Sequence, residues 1–135
     1  MILCEENCEF LQDIADTLSS KDVELIFVEN EEMRELNLKH RNKNKSTDVL
    51  SFPLQAINEA LPLGSIVINK TLAQEKAKEF HHSLKDEISL LFIHAMLHLL
   101  GFDHEKDKGE MRQKEEELIH LFKLPQSLIV RTEAL

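Results

Sequence analysis

The sequence predicts an α/β (α+β) domain: a small mixed sheet of three to four strands packed with about five helices, one of them buried and central. Three observations carry this. The chain has 135 residues, 42% of them apolar, enough for one core without staples. Short apolar runs at 23–28, 48–52 and 65–68 have strand character. Between and after them lie segments with apolar residues at helical spacing, and helices layered on a few strands make this class of domain.

Taken in order, Met1 to Leu3 can add a short strand. Glu6 to Leu18 places Phe10, Leu11, Ile14, Ala15 and Leu18 at helical spacing, and Ser19-Ser20 ends that helix. Val23 to Val28 is a strand. Asn30 can cap a helix from Glu31 to His40, with acids in its first turn, bases in its last, and Met33, Leu36 and Leu38 as apolar surface. Arg41 to Thr47 is a polar loop. Asp48 to Phe52 is a strand that stops at Pro53. Pro62 and Gly64 frame a connection to a strand at Ser65–Ile68. Asn69 caps a helix from Lys70 to Phe80, with Leu72, Ala73, Ala77 and Phe80 inward. Ser83 caps Leu84 to Leu100, which is apolar nearly all round and is therefore the central buried helix. Glu110 to Phe122 is a last amphipathic helix, followed by a tail from Leu124. No repeat, linker or low-complexity tract interrupts the chain, so residues 1–135 form a single domain.

Sixteen Lys and Arg against 25 Asp and Glu give a net charge of −9, which taken alone argues against nucleic acid as a partner. The charge is uneven, however. Lys39, Arg41, Lys43 and Lys45 stand together with no acid among them, and local fields govern docking more than the total does, although from charge alone the segment reads as a solvated loop. With no Trp or Tyr and seven Phe, a broad aromatic platform for bases is disfavoured. No apolar run is long enough to span a bilayer. Glu5, Glu6 and Glu9 stand where a signal peptide is basic and then apolar, so a cytoplasmic location is expected. Cys4 and Cys8 are too few for a disulfide framework and read as reduced, half-buried small hydrophobes.

The chemistry concentrates in His94-Ala95-Met96-Leu97-His98-Leu99-Leu100-Gly101-Phe102-Asp103-His104. His94 and His98, four apart on a helix, share one face. His104 follows a glycine that can take positive φ and turn the chain back. Three imidazoles suit Zn²⁺, one per chain, and leave a coordination position open, the mark of a catalytic site. Nickel or copper would also accept such ligands. Structural histidines are the alternative, but each would need its own polar partner in an apolar helix. A zinc ion acidifies bound water and polarises a carbonyl or phosphoryl oxygen, so a metal-dependent hydrolase is expected. Peptidases with H-E-x-x-H carry a general-base Glu after the first His; here Ala95 occupies that position. Asp103 and Glu105 flank His104 as candidate partners of the ligands or as solvated acids. Arg41, whose planar fork suits phosphate, is the candidate cation beside the metal, and a phosphodiester is then the natural substrate.

This motif, taken with Leu36-Asn37, Arg41 and Lys45-Ser46-Thr47-Asp48-Val49-Leu50-Ser51-Phe52-Pro53, resembles the YbeY family of bacterial endoribonucleases over roughly Val23 to Phe122. The resemblance implies a zinc ion held by His94, His98 and His104. It also implies single-strand-specific endoribonuclease activity in 16S rRNA 3′-end maturation and ribosome quality control, with ribosomal RNA and the ribosomal particle or its proteins as partners. By the same resemblance Arg41 contacts RNA or the transition state, His94 belongs to the catalytic set, and Thr47-Asp48 shape the strand entry. Two departures stand out: Gly64-Ser65-Ile66 where the family usually has Gly-Asp-Ile, and Ala95 where Gly is common. Two other functions fit parts of the pattern. One is a ribosome-assembly binding factor whose metal is mainly structural; the other is a metallopeptidase, which Ala95 disfavours.

Overall fold

Four strands pair in the order β1-β2-β4-β3 in the computed structural model, which describes residues 1–53, 62–103 and 105–125. They are β1 (Ile2–Leu3), β2 (Val23–Val28), β3 (Val49–Pro53) and β4 (Gly64–Asn69). β1 and β4 run parallel to β2, and β3 runs antiparallel to β4. Five helices complete the described chain: α1 (Glu9–Leu18), α2 (Asn30–Arg41), α3 (Lys70–Glu79), α4 (Leu84–Leu99) and α5 (Glu110–Phe122). The mixed sheet with helices on it is the architecture the sequence predicts.

Strand alternation divides the sheet into two faces. Val23, Leu25, Ile66 and Ile68 enter the main core with Leu11 and Ile14 of α1 and the buried residues of α4. On the other face Val28, Leu50 and Val67 pack against Met33 of α2. α4 is the centre of the larger core. Leu91, Phe92, Met96 and Leu97 are fully buried, each stabilising the fold by about 1.5–3 kcal/mol before chain entropy is counted. The apolar sequence of this helix follows from that position.

The caps divide. Asn69 Oδ1 accepts from Leu72 N at 3.1 Å, and Ser83 Oγ accepts from Asp86 N at 3.1 Å, as the sequence predicts. Asn30 is not a cap: the residue before α2 is Glu29, whose side chain makes no capping bond. Asn30 Oδ1 is instead occupied by Asn69 Nδ2 at 2.6 Å. Arg41 is the last helical residue of α2 rather than the first of a loop, and Asn42 ends the helix at φ 56°. Leu38 is exposed rather than part of the apolar surface, and α1 begins at Glu9 rather than Glu6. The tail expected beyond Leu124 lies almost wholly outside the described residues.

Gly64 begins β4 beside Pro53 of β3. A Cβ there would meet the Phe52 carbonyl oxygen at 2.5 Å and a Leu99 methyl at 2.8 Å. Only glycine lets β3, β4 and the end of α4 approach this closely.

Candidate metal centre

Glu87, Leu91, His94 and His98 recur at spacings of four, three and four along α4, so they share one stripe. Its lower part carries the two histidines. His94 Nε2 and His98 Nε2 are 3.2 Å apart, with the rings edge to face. Two ligands of a tetrahedral zinc at about 2.0–2.1 Å have donor atoms about 3.3–3.4 Å apart. The convergence therefore fits a shared cation, which would replace the single proton that could otherwise lie between them.

Glu115, on the buried face of α5 with Met111 and Leu118, fixes this orientation. His94 Nδ1 donates to Glu115 Oε2 at 2.6 Å. With Nδ1 carrying the proton, the Nε2 lone pair faces His98, the tautomer a ligand needs. Glu115 is 1% exposed, and a carboxylate so buried requires positive charge close by. A divalent cation at the two Nε2 atoms would answer that requirement.

After His98 the helix closes with Gly101 at φ 99°, while Gly101 N donates to His98 O and Phe102 N to Leu97 O, both at 3.0 Å. This is the chain reversal expected of that glycine. The predicted third ligand, His104, lies outside the described residues, and among those described no group of three ligating side chains converges. Asp103 holds the turn that follows: its side chain accepts from Glu105 N, and its carbonyl from Lys106 N and Asp107 N. Glu105 is exposed. The carboxylate that His94 meets is thus that of Glu115 rather than either residue flanking His104. Its signal was an acid set in the apolar stripe Met111, Glu115, Leu118.

A second buried pair sits at the start of α4, where His82 Nε2 donates to Glu87 Oε1 at 2.7 Å. In sequence Glu87 reads as a first-turn acid; the structure buries it completely. Asp48, at the entry to β3, feels both regions. Burial raises its carboxyl above the ordinary range, the His94 charge pulls it down, and Glu87 pushes it up further. Asp48, Glu87 and Glu115 thus bring three carboxyl groups close to the histidines of α4 and its entry.

The entry to β3 is fixed by Asn69. Its backbone N donates to Asp48 O at 2.8 Å, and its Nδ2 donates to Asn30 Oδ1, Ser46 Oγ and Thr47 O. Arg41 stands exposed at the C-terminal end of α2. Its neighbour His40 packs edge-on against Phe52 of β3, with ring centres 5.0 Å apart. Buried Asn37 binds the basic segment from below, its Nδ2 donating to Lys45 O at 2.8 Å. Lys39, Arg41, Lys43 and Lys45 are all exposed, so the positive segment is solvated and available to an anionic ligand. Ser65, where Asp is usual in the resembled motif, donates its hydroxyl to Glu24 Oε1 at 2.8 Å across the β2–β4 pair. A carboxylate is thus present at this place, carried by the neighbouring strand.

Comparison with known proteins gives a consistent result. The family described as "Endoribonuclease YbeY" matches residues 3–123. A protein of that name from Campylobacter jejuni (strain RM1221) is 68% identical over 132 residues, covering 98% of each chain. One from Aliarcobacter butzleri is 59% identical over 138 residues, covering 97% of this chain and 99% of the relative. One from Helicobacter pylori is 59% identical over 130 residues, covering 96% and 92%. The solution structure of TM1509 from Thermotoga maritima superposes with a TM-score of 0.61 at 29% identity, covering 90% of this chain and 89% of that one.

Proposed function

The chain belongs to the YbeY endoribonuclease family, and from that membership we propose that it is a zinc-dependent, single-strand-specific endoribonuclease. Its place would be 16S rRNA 3′-end maturation and ribosome quality control in the cytoplasm, with ribosomal RNA as substrate and the ribosomal particle as partner. The observation that carries the reading is the 3.2 Å convergence of His94 Nε2 and His98 Nε2, with His94 Nδ1 held by Glu115 at 2.6 Å.

His94 and His98, with His104 as third ligand, would hold Zn²⁺, which supplies a Lewis acid for the phosphoryl oxygen and acidifies water at the reaction centre. Glu115 holds the His94 imidazole with its proton on Nδ1 and balances the imidazole's positive polarisation. Arg41 binds a phosphate oxygen through its planar fork and stabilises charge that develops there. Lys39, Lys43 and Lys45 draw the RNA backbone toward the same edge. Ala95 moves no proton, so the peptidase arrangement is not assembled.

The test is zinc content by mass spectrometry paired with cleavage of single-stranded RNA, for wild type, His98→Ala and Arg41→Glu. His98→Ala should lose metal and cleavage together. Arg41→Glu should keep the metal and lose cleavage by about 100-fold or more. Full cleavage by metal-free His98→Ala would overturn the reading.

A further inference from the structure

Cys4 and Cys8 are both free thiols, and the fold brings them together in a way their spacing alone does not require. Cys4 follows β1 and lies outside any helix, while Cys8 occupies the position before α1. Cys8 Sγ donates to Cys4 Sγ at 2.6 Å. Unbonded heavy atoms rest at about 3.5–4.0 Å, whereas a disulfide has its sulfurs about 2.0 Å apart. The two thiols thus stand about half an ångström from bonding distance. Cys8 is buried and Cys4 partly exposed. Both line a surface cavity of about 790 Å³ with Met1, Asn7 and Gln12, through which a small molecule reaches them.

We propose that Cys4 and Cys8 form a dithiol oxidation site at which a small hydroperoxide closes an intramolecular disulfide. The thiolate of the more accessible Cys4 attacks the terminal peroxide oxygen, the O–O bond breaks, and the alkoxide or hydroxide leaves, giving Cys4 sulfenic acid. The Cys8 sulfur then attacks the Cys4 sulfur, and the sulfenic hydroxyl departs with the Cys8 proton as water. Two electrons pass from the two sulfurs to the peroxide, and a dithiol reductant reverses the change. The assignment of roles agrees with the environments. Burial, with the Cys4 hydrogen bond and the Cys4 and Glu6 charges, pushes the Cys8 thiol up to about 12, so Cys8 remains the proton-bearing resolving partner.

The experiment treats the reduced full-length protein with hydrogen peroxide, alkylates it with N-ethylmaleimide, and measures intact mass against time, folded and in urea. Folded wild type should become lighter by two hydrogen masses, take up no maleimide, and recover both thiols with dithiothreitol. Closure should be at least ~10-fold faster folded than in urea, because the fold supplies the proximity. Cys8→Ser, with its fold checked by circular dichroism, should stop at a Cys4 sulfenic acid that dimedone traps. Two alkylatable thiols surviving peroxide, disulfides only between chains, or equal rates folded and in urea would each overturn the proposal.

Discussion

Glu115 shows how one side chain sets the properties of another. Its carboxylate holds the His94 proton on Nδ1, so Glu115→Ala should weaken zinc affinity by about 10–100-fold, whereas Glu115→Gln, which still accepts that hydrogen bond, should lose less. Competition titration against a chromophoric chelator reads both. Unchanged affinity in Glu115→Ala would leave Glu115 a packing residue only. A pH effect belongs to Cys8. Its thiol titrates near 9.0 when unfolded and about 12 in the fold, so the native state holds a proton the unfolded chain has lost. The stability this confers is complete below about pH 9 and falls as pH rises from about 9 to about 12. Urea midpoints of wild type should therefore decline more steeply over that window than those of Cys8→Ala. At this scale the approach of His94 to His98 was legible because residues four apart on a helix share one face. The Glu115 contact was not: the apolar Met111 and Leu118 on its face pointed to burial, but its partner lies on another helix.

Among the elements, Gly64 and Asn69 mark the two ends of β4. Gly64→Ala would drive a methyl into the Phe52 carbonyl, with a cost of about 1–3 kcal/mol. Asn69→Ala removes the α3 cap, worth about 1 kcal/mol, and also unties Ser46 and Thr47 from β4. Both should lower the urea midpoint with little change in slope. Asn69→Ala should also reduce RNA cleavage, since it frees the segment that leads into β3. The Asn69 and Ser83 caps, and with them the starts of α3 and α4, could be read from sequence, because capping is a bond between near neighbours. Asn30 misled for the opposite reason: its partner Asn69 is remote in sequence, and a long-range hydrogen bond took the side chain that local rules assign to a cap.

At the scale of the whole molecule, a net charge of −9 coexists with a basic segment at the end of α2. If that segment carries RNA binding, Lys39, Arg41, Lys43 and Lys45 limit the counterions released. The logarithm of affinity for single-stranded RNA should then fall with log salt at a slope of about −3. Fluorescence anisotropy across a salt series measures it, and a slope much steeper than about −3 would place RNA on a wider surface. The fold class was legible from periodicity and length. The strand order was not, because β2 pairs with β4 across a whole intervening helix and strand, and only the assembled core selects that neighbour.

The bond between His94 and Glu115 also bears on how the protein is made. Synthesis proceeds from the N-terminus, and early segments can begin to fold while later ones are still being added. The sheet strands and the imidazole of His94 are all translated before α5. The carboxylate that sets that imidazole's tautomer arrives 21 residues after it. A nascent chain halted before α5 would thus hold its strands and both α4 histidines, yet lack the carboxylate that orients the His94 imidazole. If zinc is held as proposed, competence for it is then a property of the finished domain.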